Sequence, residues 1–120
     1  MDNKYILNRL YTNKMFNFRQ IYEFAWDEGN IDKNQAKHNV SKRECEEVFV
    51  NPPFLQHPDR EHSLVEKRFY VLGKTSQARH LFLAITIRDD KIRVISARDM
   101  SKKERNIYEE ETKNNPKIQE

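Results

Sequence analysis

The second half of the chain alternates apolar and polar residues with a period of two, which is typical of strands in an antiparallel sheet. Short polar links join the segments, and Asp89-Asp90 has the composition of a tight turn between the last two. The third segment is apolar on both faces, so we expect it to lie centrally and to be covered on both sides. The pattern predicts a four-stranded antiparallel meander with strands at residues 54–57, 67–74, 79–88 and 91–98.

The first part of the chain has a weaker pattern. Residues 1–21 have no convincing apolar period, so we interpret them as an N-terminal extension that packs weakly. Aromatic residues alternate with others over residues 22–26, which predicts a short strand at the start of the domain. Asp27 stands where a helix N-cap would be and predicts a helix over residues 28–38.

A break of about three residues is predicted after that helix, because two capping signals lie close together. Asn39 favours the left-handed conformation that ends many helices. Ser41 and Glu44 have the S-x-x-E spacing of a capping box, which begins the next helix. Proline lacks the amide hydrogen that a helix needs, so Pro52 and Pro53 end that second helix.

The same capping-box spacing follows the predicted sheet. Ser101 and Glu104 predict a final helix over residues 102–113, and residues 114–120 are expected to be a frayed tail. The elements together predict one α+β domain over residues 22–113. Their order is β-α-α, then the four-stranded antiparallel meander, then a C-terminal helix.

Composition limits the function classes. A chain of 120 residues forms one domain, and its formal net charge of +3 favours an anionic partner only weakly. Cys45 is the single cysteine, so no internal disulfide and no zinc-binding cysteine cluster is expected. The sequence has no apolar run of roughly 18 residues and no signal peptide, so we expect a soluble, cytoplasmic protein with no membrane partner.

The motifs of several enzyme classes are absent from the sequence. No H-E-x-x-H or related spacing gathers His57, His62 and His80, so we interpret them as ordinary polar residues and expect no metal or other cofactor. The Gly-rich loops that bind nucleotides are also absent. A helix-turn-helix shape at the break is not expected to read DNA, because its second helix carries as many acidic as basic residues.

Basic residues near the ends of the predicted elements are the remaining candidates for chemistry. Arginine beside apolar neighbours, as at Arg68 and Arg98, is costly unless the guanidinium reaches an anion or solvent. These two side chains can simply extend to water, or they can bind phosphate bidentately and stabilise a phosphoryl transition state. His38 is either a helix-end residue favoured by the dipole or a general base or acid in RNA cleavage, where the 2′-hydroxyl is the nucleophile.

Three segments of the chain resemble the BrnT-type toxins of bacterial toxin-antitoxin systems. They are FAWDEGNIDKNQAKHNVS at 24–41, EKRFYVLGKTSQAR at 66–79 and IRVISARDMSKKERNIYE at 92–109, of which the last is the most specific. The resemblance implies a compact RelE-like ribonuclease fold and RNA cleavage that arrests translation. It also implies neutralisation by a BrnA-type antitoxin, with operator DNA bound only through the toxin-antitoxin complex.

The resemblance carries site residues over at matching positions, and we predict a metal-independent endoribonuclease. Arg68 and Arg98 are predicted to bind the scissile phosphate, with His38 as general base or acid. The other candidates would hold flanking phosphates or, in the case of the tyrosine, stack on a base or position a phosphate. These candidates are Lys37, Lys74, Arg79, Lys103, Arg105 and Tyr108.

Two questions stay open at the level of sequence. The family usually has glycine where this chain has Asn39 and often where it has Ala78, and alanine disfavours positive φ more strongly than asparagine. The shape of the loop at 74–79 is therefore in doubt. The second question is activity, because the same basic surface would also serve a non-catalytic module that binds nucleic acid or an antitoxin.

Overall fold

The structure, a computed structural model, describes residues 6–7, 23–27, 38–59, 61 and 67–113. The elements in this part of the chain are β1 (Ile6–Leu7), α1 (Lys42–Val50), β2 (Leu55–Pro58), β3 (Arg68–Lys74), β4 (His80–Arg88), β5 (Lys91–Asp99) and α2 (Lys102–Lys113). The fold is α+β, with an antiparallel sheet in the strand order β1-β2-β3-β4-β5.

The predicted four-stranded meander is confirmed, and each strand of β2 to β5 lies within one residue of its predicted bounds. A further strand, β1, comes from the segment that we interpreted as an extension. Ile6 is opposite Gln56 and Leu7 is opposite Leu55 in an antiparallel pair with β2. Two residues are too few to show an apolar period, so the sequence pattern does not reveal this strand.

The predicted β-α-α order at the start of the domain is not confirmed. Phe24 forms one parallel bridge with Ile92, supported by a 2.8 Å hydrogen bond from the Ala25 amide to the Ile92 carbonyl. Of the predicted strand, the described residues 23–26 therefore form a single bridge at the edge of β5. Residues 28–37 of the predicted first helix lie outside the described residues, and His38 at its end is helical.

Both capping boxes are confirmed. The Ser41 hydroxyl accepts a hydrogen bond from the Glu44 amide at 3.1 Å, and the Glu44 carboxylate accepts one from the Ser41 amide at 2.9 Å. Ser101 and Glu104 make the same reciprocal pair at 3.1 and 2.8 Å. Asn39 has a φ of 54°, as expected for the residue that separates the two predicted helices. These local signals therefore place the start of both described helices.

The loop between β3 and β4 adopts the conformation that glycine would favour, although it contains alanine. Ala78 has a φ of 68°, and its amide donates to the Thr75 carbonyl at 2.9 Å. Thr75 is buried, and its hydroxyl accepts a 3.1 Å hydrogen bond from the Arg79 amide. The surrounding hydrogen bonds thus hold Ala78 in a backbone region that is unfavourable for alanine.

Replacing Ala78 with glycine should stabilise the protein. The left-handed conformation costs a residue with a Cβ about 1–2 kcal/mol, whereas glycine loses about 0.4–1 kcal/mol through greater freedom of the unfolded chain. We therefore expect Ala78→Gly to raise the free energy of unfolding by about 0.5–1 kcal/mol in urea titrations. The matched control is Ala84→Gly within β4, where φ is not positive; it should destabilise the protein. Stabilisation by both substitutions would contradict this explanation.

Neighbouring strand residues divide the core into two layers. Val71 faces α1 and packs in one cluster with Cys45 and Val48, whereas the next residue, Leu72, packs with Leu55 and Tyr108 of α2. The two helices therefore cover opposite faces of the sheet. The first helix lies very close to β3, since a Cβ added to Gly73 would lie only 2.6 Å from Cγ1 of Val48.

The second helix covers only one end of its face of the sheet. It packs on Leu55, Leu72 and Phe82, through Tyr108 and Ile107. Strand pairing places further side chains on the same face, and these are partly exposed. We call this surface the open face, and define it by His57, Arg68, Tyr70, Phe82, Ala84, Ser96 and Arg98.

Candidate functional site

Arg98, near the end of β5, has a tightly defined position on the open face. Its guanidinium carbon lies 4.0 Å from the centre of the Phe82 ring. Its Nη1 and Nη2 donate to the two carboxylate oxygens of Glu104 at 2.8 and 2.9 Å, and Nη1 also donates to the Asp99 carbonyl at 3.1 Å. The side chain is still 37% exposed. Arg98 is therefore a preorganised cation that solvent and an anionic ligand can reach.

Glu104 is the residue that orients this cation. Burial raises the pKa of the Glu104 carboxyl, but hydrogen bonds from Arg98 and Ser101 outweigh burial and hold the pKa below its usual value. The carboxylate is thus ionised at neutral pH and keeps both guanidinium hydrogen bonds. From the sequence, Glu104 is identified only as part of a capping box, because sequence spacing does not show which arginine its carboxylate meets.

Arg79 uses all its hydrogen-bond donors within the protein. Nε and Nη2 donate to the Asp99 carboxylate at 2.8 and 3.2 Å, and Nη1 donates to the Glu44 carboxylate at 3.0 Å. Nη1 and Nη2 also donate to the carbonyls of Asn39 and His38 at 2.9 and 3.2 Å. A guanidinium has five N–H groups, and all five are engaged. Arg79 therefore joins the helix break, the start of α1 and the end of β5.

Asp99 connects three of the predicted site residues. Its carboxylate binds Arg79, and its carbonyl accepts from Arg98. Hydrogen bonds from Arg79 lower the pKa of the Asp99 carboxyl, and the nearby charge of His38 lowers it further. His38 is exposed beside this group. The structure therefore places His38, Arg79 and Arg98 at the same end of β5, with Arg79 on the Asp99 carboxylate and Arg98 on the Asp99 carbonyl.

Arg68 lies at the other end of the open face. It is opposite Thr86 of β4, whereas Arg98 is opposite Phe82, four residues earlier on the same strand. Standard strand dimensions put the two arginine α-carbons about 16 Å apart. Arg98 is paired with Glu104 at its own end of the face. We therefore interpret the two arginines as separate contact points, and the prediction that both hold the scissile phosphate stays a prediction.

Tyr108 belongs to the core. The side chain is only 3% exposed, and its hydroxyl donates to the Pro53 carbonyl at 2.7 Å. Its ring meets the His80 ring edge-on at 5.5 Å, and burial raises the pKa of Tyr108 to about 12. Because neither ring face is open, we revise its predicted role from a base-stacking residue to one that anchors α2 on the sheet.

Three of the remaining basic candidates lie at the end of the sheet that α2 covers. Lys74 is opposite His80, and the pKa of His80 is lowered by burial and by the nearby charges of Arg105 and Lys74. Lys103 and Arg105 are exposed, and Arg105 pairs with Glu109 at 3.3 Å. Lys37 lies outside the described residues.

Sequence reasoning missed a row of aromatic side chains on the open face. The ring centres of His57 and Tyr70 are 6.3 Å apart, and those of Tyr70 and Phe82 are 5.3 Å apart. Alternation within β3 predicts that Tyr70 shares a face with Arg68. Only the strand register shows that His57 and Phe82 lie beside it.

The described residues contain no group of three or more His, Cys, Asp or Glu side chains that could hold a metal ion. None of the helices in the described ranges has the length and apolar character that crossing a membrane requires. A family model described as "Ribonuclease toxin, BrnT, of type II toxin-antitoxin system" matches residues 26–104. No curated protein matches the chain.

Proposed function

We propose that this chain, which belongs to the BrnT family of ribonuclease toxins of type II toxin-antitoxin systems, cleaves RNA without a metal ion and thereby arrests translation. The observation that carries the proposal is the fixed guanidinium of Arg98, held by Glu104 and Phe82 where α2 borders the open face, and still partly exposed. A BrnA-type antitoxin in the cytoplasm is the proposed partner, and operator DNA would be bound only through that complex. The expected fold is RelE-like.

The reaction needs few groups from the protein, because RNA supplies its own nucleophile in the 2′-hydroxyl. Attack of this oxygen on the adjacent phosphorus breaks the bond to the 5′-oxygen of the next nucleotide. One proton leaves the 2′-hydroxyl and one is delivered to the leaving 5′-oxygen, so a base and an acid suffice for proton transfer. Arg98 would stabilise the negative charge that builds up on the phosphoryl oxygens.

His38 is the proposed base or acid. Its side chain is exposed and lies near the Asp99 carboxylate, at the same end of β5 as Arg98, which binds the Asp99 carbonyl. Arg68 would hold a phosphate further along the strand. Flanking phosphates would be held by Lys37, Lys74, Lys103 and Arg105, with Arg79 as a positioning residue.

The chemistry can be tested with the purified toxin freed of its antitoxin. In buffer containing EDTA, we expect it to cleave single-stranded RNA. Methylation of every 2′-hydroxyl should slow cleavage at least about 100-fold, because the nucleophile is lost. The measurement is product formation on denaturing gels, repeated with messenger RNA in a translating extract without EDTA.

Two results would contradict the proposal. Cleavage of the methylated substrate, or activity that appears only when Mg²⁺ is added, would indicate that a metal-activated water is the nucleophile. Binding of RNA with no cleavage in either assay would instead indicate the alternative, a non-catalytic module that binds nucleic acid or the antitoxin.

A further inference from the structure

The open face carries aromatic rings in an order that runs across the sheet. His57 of β2 is directly opposite Tyr70 of β3, and Phe82 of β4 is a diagonal neighbour of Tyr70. Arg98 of β5 lies over the Phe82 ring. Three rings and a guanidinium from four consecutive strands therefore form one continuous row, which we call the aromatic row.

Core packing alone does not explain this row. Phe82 touches the cluster under α2, but neither Tyr70 nor His57 belongs to either core cluster of the described residues. The next residue on the other face, Val71, is fully buried, whereas Tyr70 and His57 are partly exposed. Large aromatic side chains at the centre of an incompletely covered sheet face are typical of ligand-binding surfaces.

The central ring lies between two other rings. The ring centre of Tyr70 is 6.3 Å from that of His57 and 5.3 Å from that of Phe82. Burial raises the pKa of Tyr70, and the Asp59 side chain and the charge of Glu61 raise it further, so the phenol is neutral at physiological pH. A ring that is flanked by two other rings loses little conformational entropy when a flat ligand stacks on it.

The charges around the row identify the ligand class. Arg68 lies two residues before Tyr70 on the same strand face, and Arg98 lies at the far end of the row. Flat rings with one cation at the end of the row and another beside its central ring match a chain of unpaired bases joined by phosphates. An acidic peptide would pair with the arginines but would offer few flat groups to stack on three adjacent rings.

We propose that Tyr70, with His57 and Phe82 beside it, is a stacking site for unpaired bases of the RNA substrate, and that Arg98 at the end of the row and Arg68 beside Tyr70 hold the backbone. This inference rests on the proposed function, since it takes RNA as the ligand. It adds a site for the bases to the phosphate contacts described above, and it predicts that the toxin binds single-stranded RNA better than duplex RNA, whose bases are already stacked.

The test compares two variants that both lack the tyrosine hydroxyl and differ in the ring. Fluorescence anisotropy would measure binding of a labelled, fully 2′-O-methylated single-stranded oligonucleotide to the full chain. Base stacking on an aromatic residue is worth about 1–3 kcal/mol, which corresponds to roughly 5- to 140-fold in affinity. We expect Tyr70→Leu to weaken binding by a factor in this range and Tyr70→Phe to stay within about twofold of the native protein.

An oligonucleotide with the same backbone but no bases provides the second control. The native protein and both variants should bind it equally, because only phosphate contacts remain. The proposal would be overturned if the two variants bound the complete oligonucleotide with equal affinity. It would also be overturned if Tyr70→Leu lost as much affinity for the abasic oligonucleotide as for the complete one. Unchanged RNA binding by Tyr70→Leu together with weaker binding of the antitoxin would also overturn it and assign the row to the protein partner.

This test is independent of cleavage. The methylated oligonucleotide cannot react, so a toxin that does not cut RNA would still show the dependence on the ring if the stacking site is real. Conversely, an active nuclease whose two variants bind equally would retain the proposed function and lose the stacking site.

Discussion

Arg98→Ala is expected to lower the rate of RNA cleavage by about 100- to 1000-fold, the cost of removing one positioned charge donor from a transition state. The reason lies in the geometry of the guanidinium, which Glu104 holds at 2.8 and 2.9 Å while Phe82 supports its face. The measurement is the single-turnover rate at saturating toxin, so that weaker binding does not contribute. Arg98→Lys keeps the charge but loses the bidentate fork, and should be intermediate.

The matched control is Arg93→Ala on the same strand. Arg93 pairs with Asp27 at 2.6 Å and its side chain is 29% exposed, similar to Arg98, but it is not part of the proposed site. We expect cleavage to remain close to that of the native protein. Because Arg98→Ala leaves Glu104 without its partner, thermal melting must show that the variant is folded. A folded Arg98→Ala with native activity, or an equal loss in Arg93→Ala, would contradict the assignment.

Arg79→Met should cause the largest loss of stability among the arginine substitutions, about 2 kcal/mol in the free energy of unfolding. Methionine retains much of the apolar side-chain volume but leaves the carboxylates of Glu44 and Asp99 and two backbone carbonyls without their donor. Because Arg79 is 27% exposed and Asp99 is 64% exposed, water compensates in part, and the estimate is well below that for a buried pair. Urea titration gives the measurement.

The pH dependence of this loss has a definite sign. Arg79 lowers the pKa of Asp99, and in Glu44 hydrogen bonds from Ser41 and Arg79 overcome the effect of burial and also lower the pKa. Lowered pKa values in the folded state give stability that is present above the unfolded pKa values of about 4 and is lost as the pH falls further. The difference between native protein and Arg79→Met should therefore shrink below about pH 4.

Arg105→Met is the control for stability. Its partner Glu109 lies one turn away on α2 and both side chains are 55% exposed, so the substitution should change the free energy of unfolding by less than about 0.5 kcal/mol. An Arg79→Met variant as stable as Arg105→Met, or a stability difference that does not depend on pH, would show that the arginine does not tie these segments together.

The elements with local signals were predicted well from the sequence. Each helix start is marked by a serine and a glutamate three residues apart, Ser41 with Glu44 and Ser101 with Glu104. The period-two pattern marks the four strands. The family resemblance is likewise confirmed. Such signals depend on neighbours in sequence, so no knowledge of the tertiary structure is needed to use them.

The site was harder to predict because its geometry depends on contacts between distant residues. Arg79 meets partners that lie 20 to 41 positions away, and nothing near it in sequence distinguishes it from an arginine that binds phosphate. The buried position of Tyr108 was also not predicted, because the sequence of a mostly polar helix does not show which of its residues face the sheet. The aromatic row needed the register of three strand pairs. The residue types of the site were therefore predictable, but their partners were not.

Cys45 has a practical consequence. It is the sole thiol of the chain, it is 1% exposed between α1 and the sheet, and burial raises its pKa to about 12. The thiolate is the form that reacts with thiol reagents, and this environment suppresses it, so modification requires that the helix first separate from β3. The rate at which Cys45 of the native toxin reacts with a thiol reagent therefore reports how often α1 separates from the sheet. This measurement needs no engineered label.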